Sequence, residues 1–372
     1  MKIVYLSTAR IPSRAANSVH IMKMCSAMAI NGHNVTLMTP KADRDSEKLD
    51  GDIFSFYDVP ENFKLMRVFK PSGRYGEYFY AFFVLLTVMF KDVDVFFSRN
   101  PLSSYFTSWK RGLQILELHQ PIPATSIIQR RMFKVYTRRM NFAYLVVITQ
   151  PLKEIFASNH MLLPSRIIVA PDGADIKQVF SQTERRTRLQ VGYLGHLYEG
   201  RGVEIILEMA QQCGWADFHI VGGTEQDIQR VKVQVLGVKN VKIHGFVPPS
   251  QAERLRSEMD VLLAPYQRKV GLGSGSITTE KWMSPLKVFE YMAAGKALIS
   301  SDIEVLHEVL ESGVNCLMCP PDKPETWVSA LTKLNDDEEL RDSLGTQALK
   351  DIRLKYSWQI RAENIIRTAT RD

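Results

Sequence analysis

Short runs of β-branched and apolar residues alternate along this chain with longer segments of helical periodicity. Continuously apolar runs predict strands buried on both faces, and strands that alternate with helices predict parallel sheets. The predicted strands are 3–6, 35–38, 93–97, 115–118 and 144–148, then 191–194, 218–221, 241–244, 261–264 and 297–300. The expected fold class is therefore α/β, with two Rossmann-like doubly wound domains that face a cleft.

A polar and charged stretch, Ser181–Arg188, separates the two series of strands. The chain has 372 residues, enough for two domains of ordinary size. We predict an N-terminal domain over 1–183, a C-terminal domain over 184–355, and a final helix over 356–372 that packs back toward the N-terminal domain. Because doubly wound sheets bind ligands at the carboxyl ends of their strands, we expect the cleft to carry the site.

The composition is that of an ordinary soluble protein, with 45% hydrophobic and 23% charged residues. The formal net charge of +7 favours an anionic partner: a phosphorylated ligand, nucleic acid or an acidic lipid surface. No helix-turn-helix, zinc-finger or RNA-binding signature supports nucleic acid. The most apolar run, Tyr78–Phe90, is shorter than the roughly 20 residues that span a bilayer, and no secretory signal is visible. We therefore expect a cytoplasmic protein.

The four cysteines are too few and too scattered for a disulfide framework. Cys316 and Cys319 have the spacing of a metal or redox pair, but no second Cys or His pair completes a zinc site. We predict buried structural cysteines and no metal site.

The segment from Ser284 to Asp302 predicts a short helix that leads directly into a strand. Ser284 is the predicted N-cap, Pro285 the first helical residue and Gly295 the end of the helix. Lys287 and Glu290 lie three residues apart, so they share one side of the first turns. A helix N-terminus with an added lysine attracts phosphate, and Glu290 can accept hydrogen bonds from sugar hydroxyls. A surface ion pair on an ordinary helix explains this segment equally well.

Several segments in their order resemble the family 4 glycosyltransferases, which are retaining enzymes of GT-B fold that use nucleotide-sugar donors. The resemblance covers nearly the whole chain. In the C-terminal half it rests on "YLGHLYEGRGVEIILEMA" (193–210), "VGG" (221–223), "VKIHGFVP" (241–248), "DVLLAPY" (260–266) and "FEYMAAGKALISSD" (289–302). In the N-terminal half it rests on "RIPSRAANSVHIMKMCSAMAINGHNVTLMTP" (10–40) and "LELHQP" (116–121). It implies an acceptor-binding N-terminal domain and a donor-binding C-terminal domain.

The resemblance also implies roles for residues of the C-terminal half. Arg201, where the family usually has lysine, and Lys287 would neutralise the donor diphosphate during catalysis, and Glu290 would hold the donor ribose. His196 replaces a family arginine, and Trp282 stands where the family has a second glutamate, with Glu280 nearby. The remaining predicted donor contacts surround the nucleobase and the helix start: Gly245, Phe246, Val247, Ser284, Pro285 and Leu286.

In the N-terminal half, the loop in which the family commonly has two glycines that approach the donor phosphate reads Ala15-Ala16-Asn17-Ser18, similar to a subgroup with "ANS" before the histidine. Asn17 and Ser18 are the predicted donor contacts of this loop. His119 follows a predicted strand and is the predicted catalytic residue of this half, hydrogen-bonding a hydroxyl of the donor sugar. His20 falls in the first turn of a helix expected to begin near Ser18, where it faces the cleft or serves as a half-buried structural histidine.

The segment 129–140 is rich in arginine and lysine, and no Asp or Glu occurs between His119 and Lys153. The pattern predicts a basic amphipathic helix suited to an anionic membrane surface, with apolar contact added by the run 78–90. A solvated charged face over an ordinary core helix is the alternative.

The sequence therefore predicts transfer of a sugar from a nucleotide-sugar donor to a glycan or lipid-linked acceptor, with retention of configuration and without a cofactor or obligatory metal. Polysaccharide or glycolipid biosynthesis at the inner face of the plasma membrane is the setting that the resemblance implies. Two alternatives stay open. One is a nucleotide-sugar epimerase of the same fold. The other is a catalytically silent nucleotide-binding protein, suggested by His196 and Trp282 at two motif positions.

Overall fold

A computed structural model describes residues 1–41, 51–73, 75–123, 126–158, 162–176, 187–268 and 281–371. The chain forms two compact units. The first is Met1–Asp172 with Trp358–Asp372, and the second is Gly173–Ser357. The units thus divide after Asp172 and after Ser357, whereas the sequence suggested limits at 183 and 355. Most of the proposed linker, 181–188, lies outside the described residues.

The first unit contains a parallel sheet of seven strands covered by helices. Its strands are β1 (Lys2–Leu6), β2 (Asn34–Pro40), β3 (Lys64–Val68), β4 (Val95–Ser98), β5 (Leu113–Leu118), β6 (Phe142–Val147) and β7 (Ile167–Val169). Its helices are α1 (Ala16–Ile30), α2 (Ile53–Phe56), α3 (Gly76–Val88), α4 (Pro101–Thr107), α5 (Ile127–Tyr136) and α6 (Gln150–Ser158). The strand order is β3-β2-β1-β4-β5-β6-β7.

The second unit repeats this plan with six parallel strands. They are β8 (Leu189–Leu194), β9 (Ala216–Val221), β10 (Val241–Gly245), β11 (Val261–Ala264), β12 (Ala297–Ser301) and β13 (Leu317–Cys319), in the order β10-β9-β8-β11-β12-β13. The helices are α7 (Val203–Gln212), α8 (Glu225–Gln234), α9 (Pro249–Ser257), α10 (Leu286–Ala293), α11 (Pro324–Asp336) and α12 (Glu338–Asp351). In each sheet the chain order reverses beside the first strand, at β1/β4 and at β8/β11. Such a switch point opens a crevice for a ligand at the carboxyl ends of the strands.

The ten predicted strands are all present, and the α/β class with two Rossmann-like units is confirmed. Three further strands, β3, β7 and β13, are missing from the predicted series. Each of them is an edge strand of its sheet. An edge strand pairs on one side only and is buried less, so its apolar pattern is weaker. In β3, for example, only Val68 is fully buried.

Three helix limits differ from the predicted ones. Helix α1 begins at Ala16 rather than near Ser18, and α5 ends at Tyr136, before the end of the basic segment 129–140. Helix α10 begins at Leu286 with Pro285 in the extended conformation (φ −80°, ψ 118°) as its N-cap, so Ser284 lies one residue further out than predicted. The predicted end is confirmed, because Gly295 follows the C-cap with a left-handed φ of 65°.

The C-terminal helix α13 (Trp358–Thr370) belongs to the first unit, where it packs against α1. The Asn31 side chain at the end of α1 donates to the Gln359 carbonyl, and Trp358 and Ile365 are buried. All four cysteines are buried and free, as predicted. Within the described residues, no helix combines the length and the apolar character needed to cross a membrane.

Candidate functional site

Three glycines line the carboxyl ends of β8, β9 and β10 in the second unit. The Gly222 N–H donates to the Gly245 carbonyl over 2.7 Å. A Cβ on Gly222, whose φ is 112°, would lie 2.2 Å from the Gly195 carbonyl oxygen. The loops after the three strands therefore touch through backbone alone, and any side chain at Gly222 would push them apart.

Lys287, in the first turn of α10, directs its ammonium group at the first of these loops. A Cβ on Gly195 would lie 2.9 Å from Nζ, so the lysine occupies the space that the glycine leaves. Nζ lies 3.8 Å from the ring centroid of Tyr193 and 5.0 Å from that of Tyr266. The residue as a whole is partly exposed, but Nζ itself is buried and has no hydrogen-bond partner among the described residues.

Arg201 brings a second cation to the same place. Its guanidinium carbon lies 5.5 Å from the Tyr266 ring, the ring that Lys287 also approaches. Its Nε is buried, and within the described part of the chain it has no hydrogen-bond partner. Burial lowers the pKa of Lys287 well below its ordinary value, and the positive charge of Arg201 lowers it further. Two mutually repelling cations, whose buried Nζ and Nε atoms have no hydrogen-bond partner among the described residues, form an electrostatic site suited to an anion.

His196 lies in the loop after β8, beside these cations. Its ring stacks on Tyr198 with centroids 4.7 Å apart. Burial, followed by Arg201 and Lys287, lowers the pKa of His196 to about 4. The imidazole is therefore neutral at neutral pH, so it can donate one hydrogen bond but adds no positive charge where the resembling family has arginine.

Glu290 lies one turn after Lys287 on α10 but pairs with a different cation. Its Oε2 lies 3.0 Å from Nη1 of Arg256, which is on α9. Arg256 is mostly buried, whereas 35% of the Glu290 side chain is exposed. The surface ion pair of Lys287 with Glu290 that the sequence left open is therefore not formed. Glu290 keeps an accessible carboxylate that is oriented by Arg256.

The other predicted donor contacts of this unit lie around the same strand ends. Gly245 ends β10 with a left-handed φ of 71°, and it is followed by the exposed Phe246 and the partly buried Val247. Ser284, Pro285 and Leu286 lead into α10 and are all partly exposed. Trp282 is partly exposed, and Glu280 lies outside the described residues.

A second polar centre lies in the first unit around Glu117, at the end of β5. This carboxylate is 1% exposed. A single oxygen, Oε1, lies 2.6 Å from Nε2 of His119, 2.8 Å from Nη2 of Arg361 and 3.0 Å from Nε2 of His20. Burial acts to raise the pKa of Glu117, but Arg361 and His20 outweigh it and hold that pKa well below its ordinary value. Glu117 is therefore ionised.

The groups around Glu117 are themselves held in place. Nδ1 of His20 lies 2.7 Å from Oδ1 of Asp172, and the residue is buried rather than half-buried. Arg361 on α13 also donates to the carbonyls of Pro171 and Ala170 over 2.8 and 3.0 Å. His119 keeps 21% of its side chain exposed. Burial, then Arg99, lowers the pKa of His119 to about 4.

His20, Glu117 and His119 present ligand-type atoms within 4.8 Å of one another, a grouping that can hold a metal ion. Hydrogen bonds and charge pairs within the protein already hold these residues together. The His119 N–H donates to Glu117, and the Arg361 guanidinium places a positive charge 2.8 Å from the same oxygen. A divalent cation would be repelled by that guanidinium and would have to displace it.

Asn17 and Ser18 lie at the start of α1 and differ in accessibility. Asn17 is exposed, and its carbonyl accepts a hydrogen bond from Arg99. Ser18 is buried, and its hydroxyl lies 2.7 Å from both the Ser13 and the Ala15 carbonyls. The Ser18 side chain thus closes the loop before the helix. Of these two predicted donor contacts, Asn17 alone has an accessible polar side chain.

Sequence reasoning missed Arg256, Arg361 and the two tyrosines, Tyr193 and Tyr266, that flank Lys287. Tyr193 lies near the end of β8, and Tyr266 follows β11. These are the two strands that form the switch point of the second sheet. A tyrosine at the end of a buried strand usually indicates core packing, so its role beneath a cation was not visible. The residues next to Arg256 and Arg361 in the sequence form no pattern that would predict a role for either arginine.

Comparison with known proteins agrees with this geometry. Residues 188–337 match the family model described as Glycosyl transferases group 1. An uncharacterized glycosyltransferase of Methanocaldococcus jannaschii is 23% identical over 229 residues, which cover 58% of this chain and 55% of the relative. A D-inositol 3-phosphate glycosyltransferase of Corynebacterium jeikeium is 23% identical over 225 residues, or 53% of this chain and 50% of the relative. The chain thus spans about half the length of the curated relatives it matches.

Among solved structures, Anabaena HepE in complex with UDP superposes with a TM-score of 0.73 at 15% identity, with both chains covered completely (100%). The same Anabaena protein has also been solved with UDP-glucose. These matches show that the fold of the whole chain is the GT-B fold. The chain therefore has the GT-B fold, and the part that matches the group 1 glycosyltransferase model, residues 188–337, lies within its second unit.

Proposed function

We propose that this chain transfers a sugar from a nucleoside-diphosphate donor to a hydroxyl of a glycan or lipid-linked acceptor, with retention of configuration. The observation that carries the proposal is the pair of buried cationic groups, Lys287 Nζ and Arg201 Nε, which have no hydrogen-bond partner among the described residues. They lie beside the Gly195 loop at the switch point of the second sheet. A diphosphate supplies the two negative charges that this place lacks.

In the proposed reaction the bond between the anomeric carbon and the leaving phosphate oxygen breaks. A bond to the acceptor oxygen forms on the same face of the sugar, and the acceptor proton passes to the leaving phosphate. Arg201 and Lys287 stabilise the charge that develops on the diphosphate, and the N-terminus of α10 adds its dipole. Because side chains supply this positive charge, the proposal requires neither a metal ion nor another cofactor.

Glu290 and the backbone of Gly245 and Val247 are the proposed contacts to the ribose and the base of the nucleotide. Arg256 orients the Glu290 carboxylate, whose accessible part can accept two hydroxyl hydrogen bonds. His119 contributes a hydrogen bond to a sugar hydroxyl. HepE binds UDP, which makes UDP-sugars the first donors to test.

The direct test is a donor panel read out by the nucleoside diphosphate released. UDP- and GDP-sugars are supplied with and without a glycan acceptor, and the anomeric configuration of the product is determined by NMR. We expect acceptor-dependent release and a retained configuration. Product from the donor alone would instead indicate an epimerase. A nucleoside diphosphate that raises the melting temperature but is never released from a donor would indicate a silent binding protein.

We propose further that the first unit docks on an anionic membrane surface and receives its acceptor there. On α3, Phe79, Phe82 and Leu86 are exposed and recur at helical spacing, opposite the buried side of the helix. Helix α4 packs against both α3 and α5. On α5 the exposed residues mix apolar and basic side chains: Ile127, Ile128, Arg130, Arg131, Lys134 and Val135.

Vesicle binding tests this second proposal. Replacing Arg130, Arg131, Lys134 and Arg138 by Ser should weaken binding to phosphatidylglycerol vesicles, and added salt should remove most of the difference from the unaltered protein. The control replaces four exposed cations of the second unit, Lys232, Lys239, Lys242 and Arg254, by Ser. Equal losses in both variants would show a mere net-charge effect and contradict a specific docking face.

A further inference from the structure

The centre around Glu117 has a feature that the transfer reaction, as proposed, does not use. Three groups converge on Oε1 of one buried carboxylate, and they come from three distant parts of the chain: α1, β5 with its following loop, and α13. Such convergence is expensive in free energy unless it is fully compensated, because burying a carboxylate removes its hydration. Arg361 makes the largest single compensating contribution, and its guanidinium is itself held by two backbone carbonyls.

The geometry determines which ring nitrogen of His119 carries a proton. An ionised carboxylate can only accept hydrogen bonds, and Nε2 of His119 lies 2.6 Å from Oε1 of Glu117. Nε2 must therefore carry the N–H. A neutral imidazole has one N–H, so Nδ1 presents a lone pair. His119 thus accepts a hydrogen bond at Nδ1 and cannot donate one there.

We propose that Glu117, held by Arg361 of the C-terminal helix, is a positioning residue that fixes the tautomer of His119, so that Nδ1 accepts a hydrogen bond from a hydroxyl of the sugar substrate. This inference rests on the proposed function and deepens it. It predicts that the site selects a sugar with a free hydroxyl at that point over the corresponding deoxy sugar. Glu117 and Arg361 act through His119 and do not touch the sugar.

His20 completes the arrangement from the other side. Its ring lies edge-on to His119, with centroids 4.8 Å apart, and edge-on to Trp358 of α13 at 5.1 Å. Asp172 holds Nδ1 of His20 over 2.7 Å. The His20 and Trp358 rings restrict the space around the network, so that Glu117 and His119 keep their relative orientation without help from a bound ligand.

The first experiment measures the tautomer directly and needs no activity. Long-range ¹H–¹⁵N spectra of the ¹⁵N-histidine-labelled wild-type protein at pH 7, without substrate, distinguish a nitrogen that bears a proton from one that bears a lone pair. The His119 signals are assigned by their absence in His119→Asn. We expect a protonated Nε2 and an unprotonated Nδ1. A protonated Nδ1 would overturn the inference even if sugar transfer is observed.

The second experiment uses substitutions that separate the two nitrogens. Asparagine places its amide oxygen near the position of Nδ1, so His119→Asn should retain activity that His119→Ala loses. We expect kcat to fall about 10²-fold in His119→Ala and at least tenfold less in His119→Asn. Equal activities in the two variants would contradict an acceptor at Nδ1. The exposed His307, in the second unit, serves as the control, and His307→Asn should leave kcat unchanged.

Glu117→Gln tests the positioning role itself. The amide of glutamine can turn its NH₂ toward Nε2, which would then become the acceptor and leave the proton on Nδ1. We expect the ¹⁵N spectrum to show this second tautomer and kcat to fall about tenfold or more. An unchanged tautomer together with an unchanged kcat would refute the role of Glu117. Elemental analysis of the purified protein tests whether a metal binds at this centre. One equivalent of zinc would make Nε2 of His119 a metal ligand and overturn the assignment.

Discussion

The two polar centres of this chain balance charge in opposite ways. Around Glu117, a buried carboxylate is matched by a buried guanidinium and two imidazoles within 3.0 Å. Around Lys287, two cations approach the ring of Tyr266, and the buried Lys287 Nζ and Arg201 Nε have no hydrogen-bond partner within the described residues. In the first centre a negative charge meets positive charge, whereas in the second two positive charges meet, and our proposal places an anion there. Under the proposed function, the first centre is a preorganised support and the second is the ligand-binding site.

The largest expected effect comes from removing the uncompensated charge. Arg201→Ala and Lys287→Ala should each lower turnover about 10²–10³-fold, because each removes a preorganised charge that acts on the leaving diphosphate. Steady-state kinetics with the donor identified by the panel measures this. Lys323→Ala and Arg353→Ala, which remove exposed cations of the same unit, are the matched controls. Near wild-type turnover in either site variant would remove that residue from the diphosphate site.

How far the two centres can be predicted from sequence also differs. Lys287 could be singled out because a lysine in the first turn after a proline marks a helix N-terminus, which is a local pattern. Arg361 could not, since it lies 244 residues from Glu117 and occupies an amphipathic helix where an arginine is normally solvated. The buried strands were predictable from continuous apolar runs, but the edge strand β3, with Lys64 and Arg67, was not. Local patterns report burial, whereas the partner of a buried charge depends on topology.

A comparably large effect, on stability rather than turnover, should come from breaking the compensated centre. Arg361→Met leaves Glu117 buried without its guanidinium, which should cost about 3–5 kcal/mol in free energy of unfolding. Denaturant unfolding at pH 7 measures it. The sign follows from the lowered pKa of Glu117: its stabilisation is present above the unfolded pKa of about 4.3 and is lost as the pH falls through the folded value. Wild type and variant should therefore converge in acid.

The double variant Glu117→Leu, Arg361→Met provides the control for that loss. It removes both charges together, so it should be clearly more stable than Arg361→Met alone. If the single variant loses less than about 1 kcal/mol, Arg361 contributes no more than a surface ion pair. That result would contradict the contrast between the two centres.

Glu290, the proposed contact to the ribose of the nucleotide, should show an intermediate effect. A hydrogen bond to a charged group contributes about 1.5–3 kcal/mol, so Glu290→Ala should raise the donor KM about 10–100-fold. Arg256→Ala removes only the orienting ion pair and should raise KM about fivefold at most. Isothermal titration with the nucleoside diphosphate checks both variants. An Arg256→Ala variant as impaired as Glu290→Ala would show that Arg256 itself contacts the nucleotide.

The smallest effect is a gain of stability when Lys287 is replaced by Met. In the folded, unliganded chain, burial and Arg201 lower the pKa of Lys287, whereas the unfolded pKa is about 10.4. Between these values the unfolded chain binds more protons, so wild-type stability rises with pH. Met fits between the two tyrosine rings without a charge. It should raise the free energy of unfolding at pH 7 by about 1 kcal/mol, or ~2–4 °C in melting temperature.

This gain should shrink as the pH rises and disappear above the unfolded pKa of about 10.4, where the lysine is neutral in both states. Lys323→Met, on the surface, should change neither the melting temperature nor its pH dependence. Nucleoside diphosphate should stabilise the wild type and reverse the order of the two proteins, since only Lys287 gains a partner when the anion binds. A loss of stability in Lys287→Met without ligand would mean that the ammonium group is already compensated, and the two centres would then not differ in kind.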